Sequence, residues 1–385
     1  MHSSNKDKGP AHSERTNAAL TKAALVTSLV VAILSNPVSQ QTERIPPRSA
    51  QVRRAPRSDE AALDLPDDPT LPALAEIRAA SSAGTILAPG LGDCPIEFIL
   101  RGYTPGSRAT LEARAGDLRV AVKVYADDPA PEAELYESLA SAGLAGDSGV
   151  RVPPLLAWER DLRVLIIGWL EGPTAHELVK GGQGARAGEL AAAWLRRAAS
   201  LPVRLGPPFG AARVLEMAET WVATLASADA ALGSDAAALA GRLARTQPKE
   251  HAPRLVHGTM YARHVLDLGD GPGVIDWQRF GQGPLELDAG IFLATVSRIA
   301  LRHEPLAGEV ARAEEALRAG TRNVLDERAL AWYQSLTLLR LAAKPVGSAG
   351  EKRLLASGKP DLRNLALSRA QALLDQAARL AAAAC

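Results

Sequence analysis

Two charged residues stand where the surrounding pattern is apolar. Lys123 lies in the strand-like run VAVKVY, and Asp276 follows the apolar run GVI. A buried lysine needs a partner, and Glu132, at the start of the next helical run, could supply the carboxylate. A carboxylate at the end of a strand is well placed to hold a hard cation such as Mg²⁺. Together these residues suit chemistry on phosphate groups.

Each residue also has a simpler interpretation. Lys123 alternates with valines and could lie on the solvent face of a half-buried strand. Asp276 could be a turn or cap residue. His257 precedes Gly258, which allows a close backbone approach, but a single histidine is more often structural than catalytic. Taken one at a time, these residues do not define a function.

Short β-type runs surround Lys123. The runs IEFILRGY, RATLEAR and LRVAVKVY are separated by turn residues at Pro105–Gly106 and Gly116–Asp117, which predicts consecutive antiparallel strands. A helix is predicted over Glu132–Ala142, followed by two strands, Leu155–Trp158 and Leu162–Ile167.

Beyond Thr174, apolar residues recur at spacings of three and four, which predicts a mainly helical region. The exception is the pair of runs HVLDL and GVIDW, which predict a hairpin around Gly269–Gly273. The predicted helices are Arg186–Ala199, Arg213–Ala228, Ala236–Thr246, Leu285–Leu301, Asp326–Ala343 and Leu362–Ala384.

Composition excludes several classes of protein. The 385 residues include 44 basic and 43 acidic side chains, so the net charge of +1 provides no general field for nucleic acid or an acidic membrane. We expect neither partner, and nothing in the sequence indicates an oligomeric state. The two cysteines, Cys94 and Cys385, exclude a disulfide framework and a multi-cysteine zinc site. A reducing cytoplasm fits best.

The first part of the chain differs from the rest. Residues 1–68 are predicted to be a disordered or weakly structured extension, since proline and charge dominate its second half. Its apolar run, Ala24–Leu34, is too short to span a bilayer. Three interpretations remain: a poor signal or anchor, an amphipathic segment, or an extension outside the working protein. The missing small-x-small cleavage site favours the last two.

The order of these motifs resembles the aminoglycoside phosphotransferase and choline kinase family, whose members have a protein-kinase-like fold. Their pattern runs His-Gly-Asp, four residues, Asn, a hydrophobic hairpin, Ile-Asp-Trp and Gly-x-x-x-x-Asp. The resemblance spans about Leu71–Ala343. The matching residues are His257, Gly258, Ile275, Asp276, Trp277, Gly283 and Asp288.

The resemblance implies an α+β, bilobal architecture. An N-lobe with a small antiparallel sheet is expected over residues 69–172, and a larger, mainly helical C-lobe over residues 173–385. It also implies ATP and Mg²⁺ as cofactors, and a hydroxylated small molecule as acceptor of the phosphoryl group.

The resemblance implies a role for each matching residue. Lys123 would hold the nucleotide phosphates, with Glu132 fixing its orientation, and Asp276 would hold Mg²⁺. Gly168 and Trp169 lie in the connection IIGWLEG, against which the adenine would rest. Further expectations are that Asp288 ties down the catalytic loop and that the turn Thr104–Ser107 covers the nucleotide.

Two departures fall on the catalytic loop. Thr259 stands where the family has its catalytic aspartate, and a hydroxyl is not a base near neutral pH. His264 stands where the family has a metal-binding asparagine, and imidazole suits Mg²⁺ less well than an amide oxygen. His257 and Arg263 complete the candidate catalytic residues, Arg263 as a source of charge stabilisation near the γ-phosphate.

Three functions remain open from the sequence. The chain could be a small-molecule kinase, impaired by Thr259, or a catalytically silent pseudokinase that binds nucleotide or a protein partner. It could also be an interaction protein that has kept only the fold. An acidic pocket would suit a cationic aminoglycoside, but Glu286, Glu304 and Glu309 are more simply interpreted as solvated helix residues.

Overall fold

The computed structural model describes residues 65–82, 87–88, 94–250, 252–347 and 360–383. The apolar run Ala24–Leu34 and most of the predicted extension 1–68 lie outside the described residues. By its internal contacts the chain divides into two units, Met1–Glu137 with Pro154–Trp169, and Ser138–Pro153 with Leu170–Cys385.

The first unit is built on a five-stranded antiparallel sheet with the order β3-β4-β5-β7-β6. The predicted consecutive strands around Lys123 are therefore confirmed. A helix, α1, precedes the sheet, a second helix, α2, follows β5, and a short pair, β1 and β2, stands apart. The bounds are α1 Pro72–Ser82, β1 Leu87–Ala88, β2 Cys94–Pro95, β3 Glu97–Thr104, β4 Arg108–Ala115, β5 Leu118–Tyr125, α2 Ala130–Ser141, β6 Leu155–Glu159 and β7 Val164–Gly168.

One face of this sheet is apolar, because alternate residues of a strand share a face. On β5 the residues on this face are Val120, Val122 and Val124, all fully buried, and they pair across to small or apolar residues of β4. The apolar stripe of α1, which includes Leu74 and Ile77, belongs to the same core. Lys123 occupies the opposite face, so its position is set by the alternation of the strand.

The second unit contains most of the helices. Its bounds are α3 Ala175–Lys180, α4 Gly184–Ala199, α5 Ala211–Ala228, α6 Ala230–Arg245, β8 Arg254–Val256, β9 Val265–Asp267, β10 Pro272–Val274, β11 Gly281–Gly283, α7 Leu285–Ala300, α8 Ala307–Thr321, α9 Glu327–Ala343 and α10 Pro360–Ala383, with 3₁₀ turns at Ala262–His264 and Glu304–Leu306. The helices α3 and α8 were not predicted individually.

Two of these helices form the centre of the second unit. Most residues of α7 and α9 are buried, which is the pattern of a helix surrounded by other elements. The helices α5, α6 and α10 contribute apolar side chains to the same core as α9. Among the described helices, none combines the length and apolar character needed to cross a membrane.

Two short hairpins carry the predicted site residues. The predicted pairing of β9 with β10 is confirmed, with Val265 opposite Val274. A second pairing, β8 with β11, was not predicted, and it places Val256 opposite Gly281. Such three-residue strands leave little pattern in a sequence, because a period of two needs a longer run to be recognised.

Candidate active site

Lys123 and Glu132 form a buried ion pair in the first unit. Lys123 is 3% exposed and Glu132, in the first turn of α2, is 5% exposed. The ammonium group of Lys123 donates to the Glu132 carboxylate, which also accepts a hydrogen bond of 2.7 Å from the hydroxyl of Tyr125. The solvent-face interpretation of Lys123 is wrong, and its partner is the expected one.

The turn between β3 and β4 uses its amides within the protein. The N–H of Gly106 donates to Oδ2 of Asp68 at 2.8 Å, and the hydroxyl of Tyr103 donates to the same oxygen at 2.9 Å. The N–H of Ser107 donates to the carbonyl of Thr104 at 3.1 Å. Because the Gly106 amide is bonded to Asp68, the geometry does not support the expectation that this turn covers a nucleotide.

Gly168 and Trp169 lie at the end of strand β7 in the first unit. Gly168 is the last residue of β7, and its N–H donates to the carbonyl of Pro154 at 2.8 Å. A Cβ at Gly168 would lie 2.8 Å from the Pro154 ring, so only glycine fits there without movement. Trp169 follows and is half-buried. The contact of both residues with adenine stays a prediction.

In the second unit the loop 257–264 connects β8 to β9. Gly258 has a φ of +71°, a conformation that glycine adopts at little cost. A Cβ at this position would lie 2.1 Å from the carbonyl oxygen of Arg279 and 2.5 Å from the Phe209 ring. Both backbone conformation and packing therefore require glycine after His257, as the motif indicated.

His257 is held from both ring nitrogens. Its Nε2 lies 2.9 Å from the carbonyl oxygen of Ile275, which can only accept, so Nε2 carries a proton. If the ring is neutral, Nδ1 is an acceptor for the N–H of Thr259 at 3.3 Å and for its hydroxyl at 3.2 Å. Thr259 is 7% exposed. His257 thus orients Thr259 and links the loop to the hairpin that carries Asp276.

Asp288 anchors the start of the loop from helix α7. Its carboxylate accepts hydrogen bonds from the N–H groups of His257 at 2.6 Å and Gly258 at 2.9 Å. Burial raises the pKa of Asp288 to about 7, although the two N–H donors lower it. The geometry agrees with the structural role expected for this residue.

Replacing Asp288 by asparagine is expected to destabilise the second unit. The amide has one acceptor oxygen, so one of the two buried N–H donors would face an NH₂ group. We expect a loss of about 1–3 kcal/mol in the free energy of unfolding, measured by urea denaturation. The exposed Asp235→Asn is the control. A loss for Asp288→Asn no larger than for this control would contradict the anchoring role.

His264 and Asp276 meet at the end of the loop. His264 Nδ1 lies 2.8 Å from the carbonyl oxygen of Thr259, which requires the proton on Nδ1. The other nitrogen, Nε2, lies 3.3 Å from Oδ2 of Asp276. Burial lowers the pKa of His264 well below its usual range, although the Asp276 carboxylate raises it. When the ring is neutral, the lone pair of Nε2 faces the carboxylate.

The backbone of Asp276 is unusual. Its φ is +71°, and in the described part of the chain the only other non-glycine residue with a positive φ is Arg163. Such backbone strain is often stored at functional sites. Asp276 lies two residues after β10 rather than within a strand, and its side chain is 36% exposed. The sequence predicted that Asp276 is the last residue of the strand, but the strand ends earlier, at Val274.

The donor set of His264 and Asp276 fits a divalent cation. A carboxylate oxygen and an imidazole lone pair face each other at a distance compatible with two ligands of one ion. Within the described ranges no group of three or more His, Cys, Asp or Glu side chains could hold a metal. A cation here would need further ligands from phosphate oxygens or water, which is the usual condition of Mg²⁺ and Mn²⁺ in phosphoryl transfer.

Arg263 is exposed and lies over the buried ring of Tyr261, with Cζ 4.5 Å from the ring centroid. Arg263 stands out in the sequence, whereas Tyr261 and the other cations around this ring do not. Those cations come from helices far away in the chain, Arg340 and Lys344 among them, so no local pattern could have found them.

One acidic residue singled out in the sequence has a different environment from the one expected. Glu286 is buried, and its carboxylate accepts a hydrogen bond from the N–H of Asp326 at 2.9 Å, so its interpretation as a solvated residue is wrong. The turn residues Asp267 and Asp270 form ion pairs of 2.7 and 2.8 Å with Arg186 and Arg151, respectively. These pairs connect the β9–β10 hairpin to other parts of the second unit.

A small antiparallel-sheet unit and a larger helical unit define an α+β protein of the protein-kinase-like class, as predicted. The family model of the phosphotransferase enzyme family, APH, matches residues 103–333. Because this match covers more than half of the chain, the chain belongs to that family.

Solved structures support the fold. A choline/ethanolamine kinase family protein from Mesorhizobium loti has a TM-score of 0.54 and 18% identity, covering 80% of this chain and 98% of that one. The spectinomycin phosphotransferase APH(9)-Ia, in complex with ADP and spectinomycin, has a TM-score of 0.50 and 13% identity, covering 75% and 94% of the two chains. No curated protein sequence matches significantly.

Proposed function

We propose that this phosphotransferase moves the γ-phosphoryl group of ATP to a hydroxyl group of a small molecule, with a divalent cation. The observation that carries the proposal is the buried Lys123–Glu132 ion pair. Burying two charges is costly, and such a pair often adds little stability over apolar residues of similar size. A role in holding nucleotide phosphates explains why charge is kept at this position.

The second unit supplies the groups for the transfer itself. Asp276 and His264 would bind the cation, which supplies charge neutralisation of the phosphate oxygens. Arg263 would stabilise charge that develops on the transferred group. Phosphoryl transfer proceeds through a loose transition state, so positioning and electrostatics contribute more than covalent chemistry.

We expect Thr259 to limit the rate of phosphoryl transfer. Its hydroxyl donates to Nδ1 of His257 and cannot take a proton from an acceptor hydroxyl near neutral pH. We therefore expect turnover below that of a chain with a carboxylate there. The loss of this base also favours a second candidate, a pseudokinase that binds nucleotide without turning it over.

The proposal is tested by measuring ATP binding and turnover together. The chain is incubated with ATP and Mg²⁺ or Mn²⁺ against a panel of hydroxylated metabolites and aminoglycosides, and binding is followed by the thermal shift. Transfer to any hydroxyl acceptor supports the kinase. ATP binding without transfer or hydrolysis supports the pseudokinase, and the absence of ATP binding contradicts both.

His264 is expected to set the choice of cation. Imidazole suits Mn²⁺ better than Mg²⁺, whereas an amide oxygen suits Mg²⁺. His264→Asn should therefore shift the ratio of Mn²⁺ to Mg²⁺ affinity toward Mg²⁺, on the order of tenfold. Titration calorimetry in the presence of a non-hydrolysable ATP analogue measures this ratio.

A spectroscopic measurement tests the same assignment without turnover. Mn²⁺ bound through Nε2 of His264 should show coupling to a directly ligated ¹⁴N nucleus in pulsed electron paramagnetic resonance. The coupling should vanish in His264→Asn, while His303→Asn, on an exposed residue, should retain it. Persistent coupling in His264→Asn would show that the cation binds elsewhere.

A further inference from the structure

Three cationic side chains lie near the ring of Tyr261 in the second unit. The Cζ atom of Arg263 lies 4.5 Å from the ring centroid, that of Arg340 lies 5.8 Å from it, and Nζ of Lys344 lies 5.8 Å from it. Arg263 belongs to the loop 257–264, whereas Arg340 and Lys344 belong to the end of α9. Tertiary packing brings these charges to one ring.

Two more cations belong to this region: Arg298 lies in the last turn of helix α7, and Arg302 lies just after the helix. Burial lowers the pKa of Arg298, and the nearby charges of Arg302 and Arg263 lower it further. Burial also lowers the pKa of His176, with additional contributions from Lys180, Arg298 and Arg302. These effects are those expected of neighbouring like charges, and they link Arg298 to Arg263 beside the Tyr261 ring. We call Arg263, Arg298, Arg302, Arg340 and Lys344 the basic cluster.

Four arginines of the basic cluster have no carboxylate partner among the described residues. The structure gives Arg263, Arg298, Arg302 and Arg340 no ion pair in that part of the chain, although ion pairs such as Arg318–Glu327 occur elsewhere in it. The chain has 43 acidic residues, so carboxylates are not scarce. Arg298 and Arg340 are half-buried, whereas Arg263 and Arg302 are exposed. Like charges held close together without counterions destabilise a fold, most of all where they are half-buried, and a bound anion would offset that cost.

The position of the basic cluster relates it to the proposed chemistry. The Tyr261 ring lies 5.2 Å from the His264 ring, measured between centroids, and His264 is the neighbour of Asp276. Arg263 and Tyr261 stand between Thr259 and His264 in the same loop. An anion bound by the basic cluster would therefore lie beside the groups that we assign to phosphoryl transfer.

We propose that the acceptor is an anionic small molecule, with a phosphate or carboxylate group that binds the basic cluster and a separate hydroxyl that receives the phosphoryl group. This inference rests on the proposed function. Guanidinium groups suit such a ligand, because their planar forks bind phosphate and carboxylate with two parallel hydrogen bonds. A cationic aminoglycoside would be repelled at the same place.

The test uses inorganic phosphate and glucose 6-phosphate as probes, with glucose and kanamycin as the neutral and cationic comparisons. Thermal shift and titration calorimetry are performed on the full chain at matched ionic strength, because salt screens such contacts. We expect both anionic probes to bind and raise the melting temperature, and glucose and kanamycin to do neither. Equal or better binding of glucose or kanamycin overturns the proposal.

Variants distinguish the basic cluster from the nucleotide site. The double variant Arg298→Gln/Arg340→Gln should weaken binding of both anionic probes about tenfold or more, because two charged hydrogen-bond donors are lost. Arg213→Gln is the matched control, because Arg213 is exposed on α5 and pairs with Glu216. Unchanged binding in the double variant, or no binding to the native chain, overturns the proposal.

Phosphate could also bind where the nucleotide phosphates bind. Lys123→Met should abolish ATP binding while leaving the affinity for glucose 6-phosphate unchanged. If Lys123→Met still folds but binds neither ligand, the probe occupies the nucleotide site and the proposal is overturned. If the native chain binds ATP but not the anionic probes, the anionic acceptor fails and the phosphotransferase stands. If ATP does not bind at all, the proposed function fails, and with it the assignment of an acceptor site.

Discussion

Replacing Thr259 by aspartate is expected to raise the rate of phosphoryl transfer by about 10²-fold or more, which is the usual contribution of a positioned general base. The start of the loop 257–264 is already fixed by the hydrogen bond from Gly258 to Asp288. A carboxylate at position 259 could take the proton of the acceptor hydroxyl, which the threonine hydroxyl cannot. The measurement is the turnover of ATP under saturating cation.

Aspartate at position 259 also changes a hydrogen bond. The threonine hydroxyl donates to Nδ1 of His257, and a carboxylate cannot donate, so the new side chain should turn away from the histidine. Stability is therefore measured alongside turnover. Thr259→Asn is the control, because asparagine has the shape of aspartate but no basic carboxylate, and it should give no gain in turnover.

Two outcomes would contradict the assignment of Thr259. If Thr259→Asp binds ATP and folds normally but turns over no faster, then Thr259 does not occupy the position of the base. If aspartate and asparagine raise turnover equally, the gain comes from the removal of the threonine rather than from proton transfer.

The second large effect concerns Lys123. Lys123→Met should abolish the rise in melting temperature caused by ATP, because the phosphates lose their buried cation. It should also cost about 3–5 kcal/mol in the free energy of unfolding, since the buried Glu132 carboxylate loses its counterion. Urea denaturation and thermal shift measure the two effects separately.

A double variant separates stability from binding. Lys123→Met/Glu132→Gln removes both charges, and the glutamine can still accept the hydrogen bond from Tyr125. We expect stability to recover while ATP binding stays lost. If the double variant regains ATP binding, Lys123 has a structural role only. If it remains as unstable as Lys123→Met, the ion pair is not the cause of the loss.

The sequence by itself was sufficient for the fold class and for the pairing of Lys123 with Glu132. Strand alternation placed Lys123 on the face opposite the valines, and Glu132, at the start of the next helical run, was a candidate partner that the family resemblance also implied. The family resemblance supplied the structural role of Asp288, and the motif indicated the close backbone approach at Gly258. These features depend on local pattern and short connections.

Only the tertiary structure decided the tautomer of His264 and the surroundings of Tyr261. The first depends on the carbonyl of Thr259 and the carboxylate of Asp276, whose directions no spacing specifies. The second depends on charges from α7 and α9, which come together because these helices pack side by side in the core. A sequence pattern records which residues share a face, whereas charge repulsion and cation binding depend on distances set by packing.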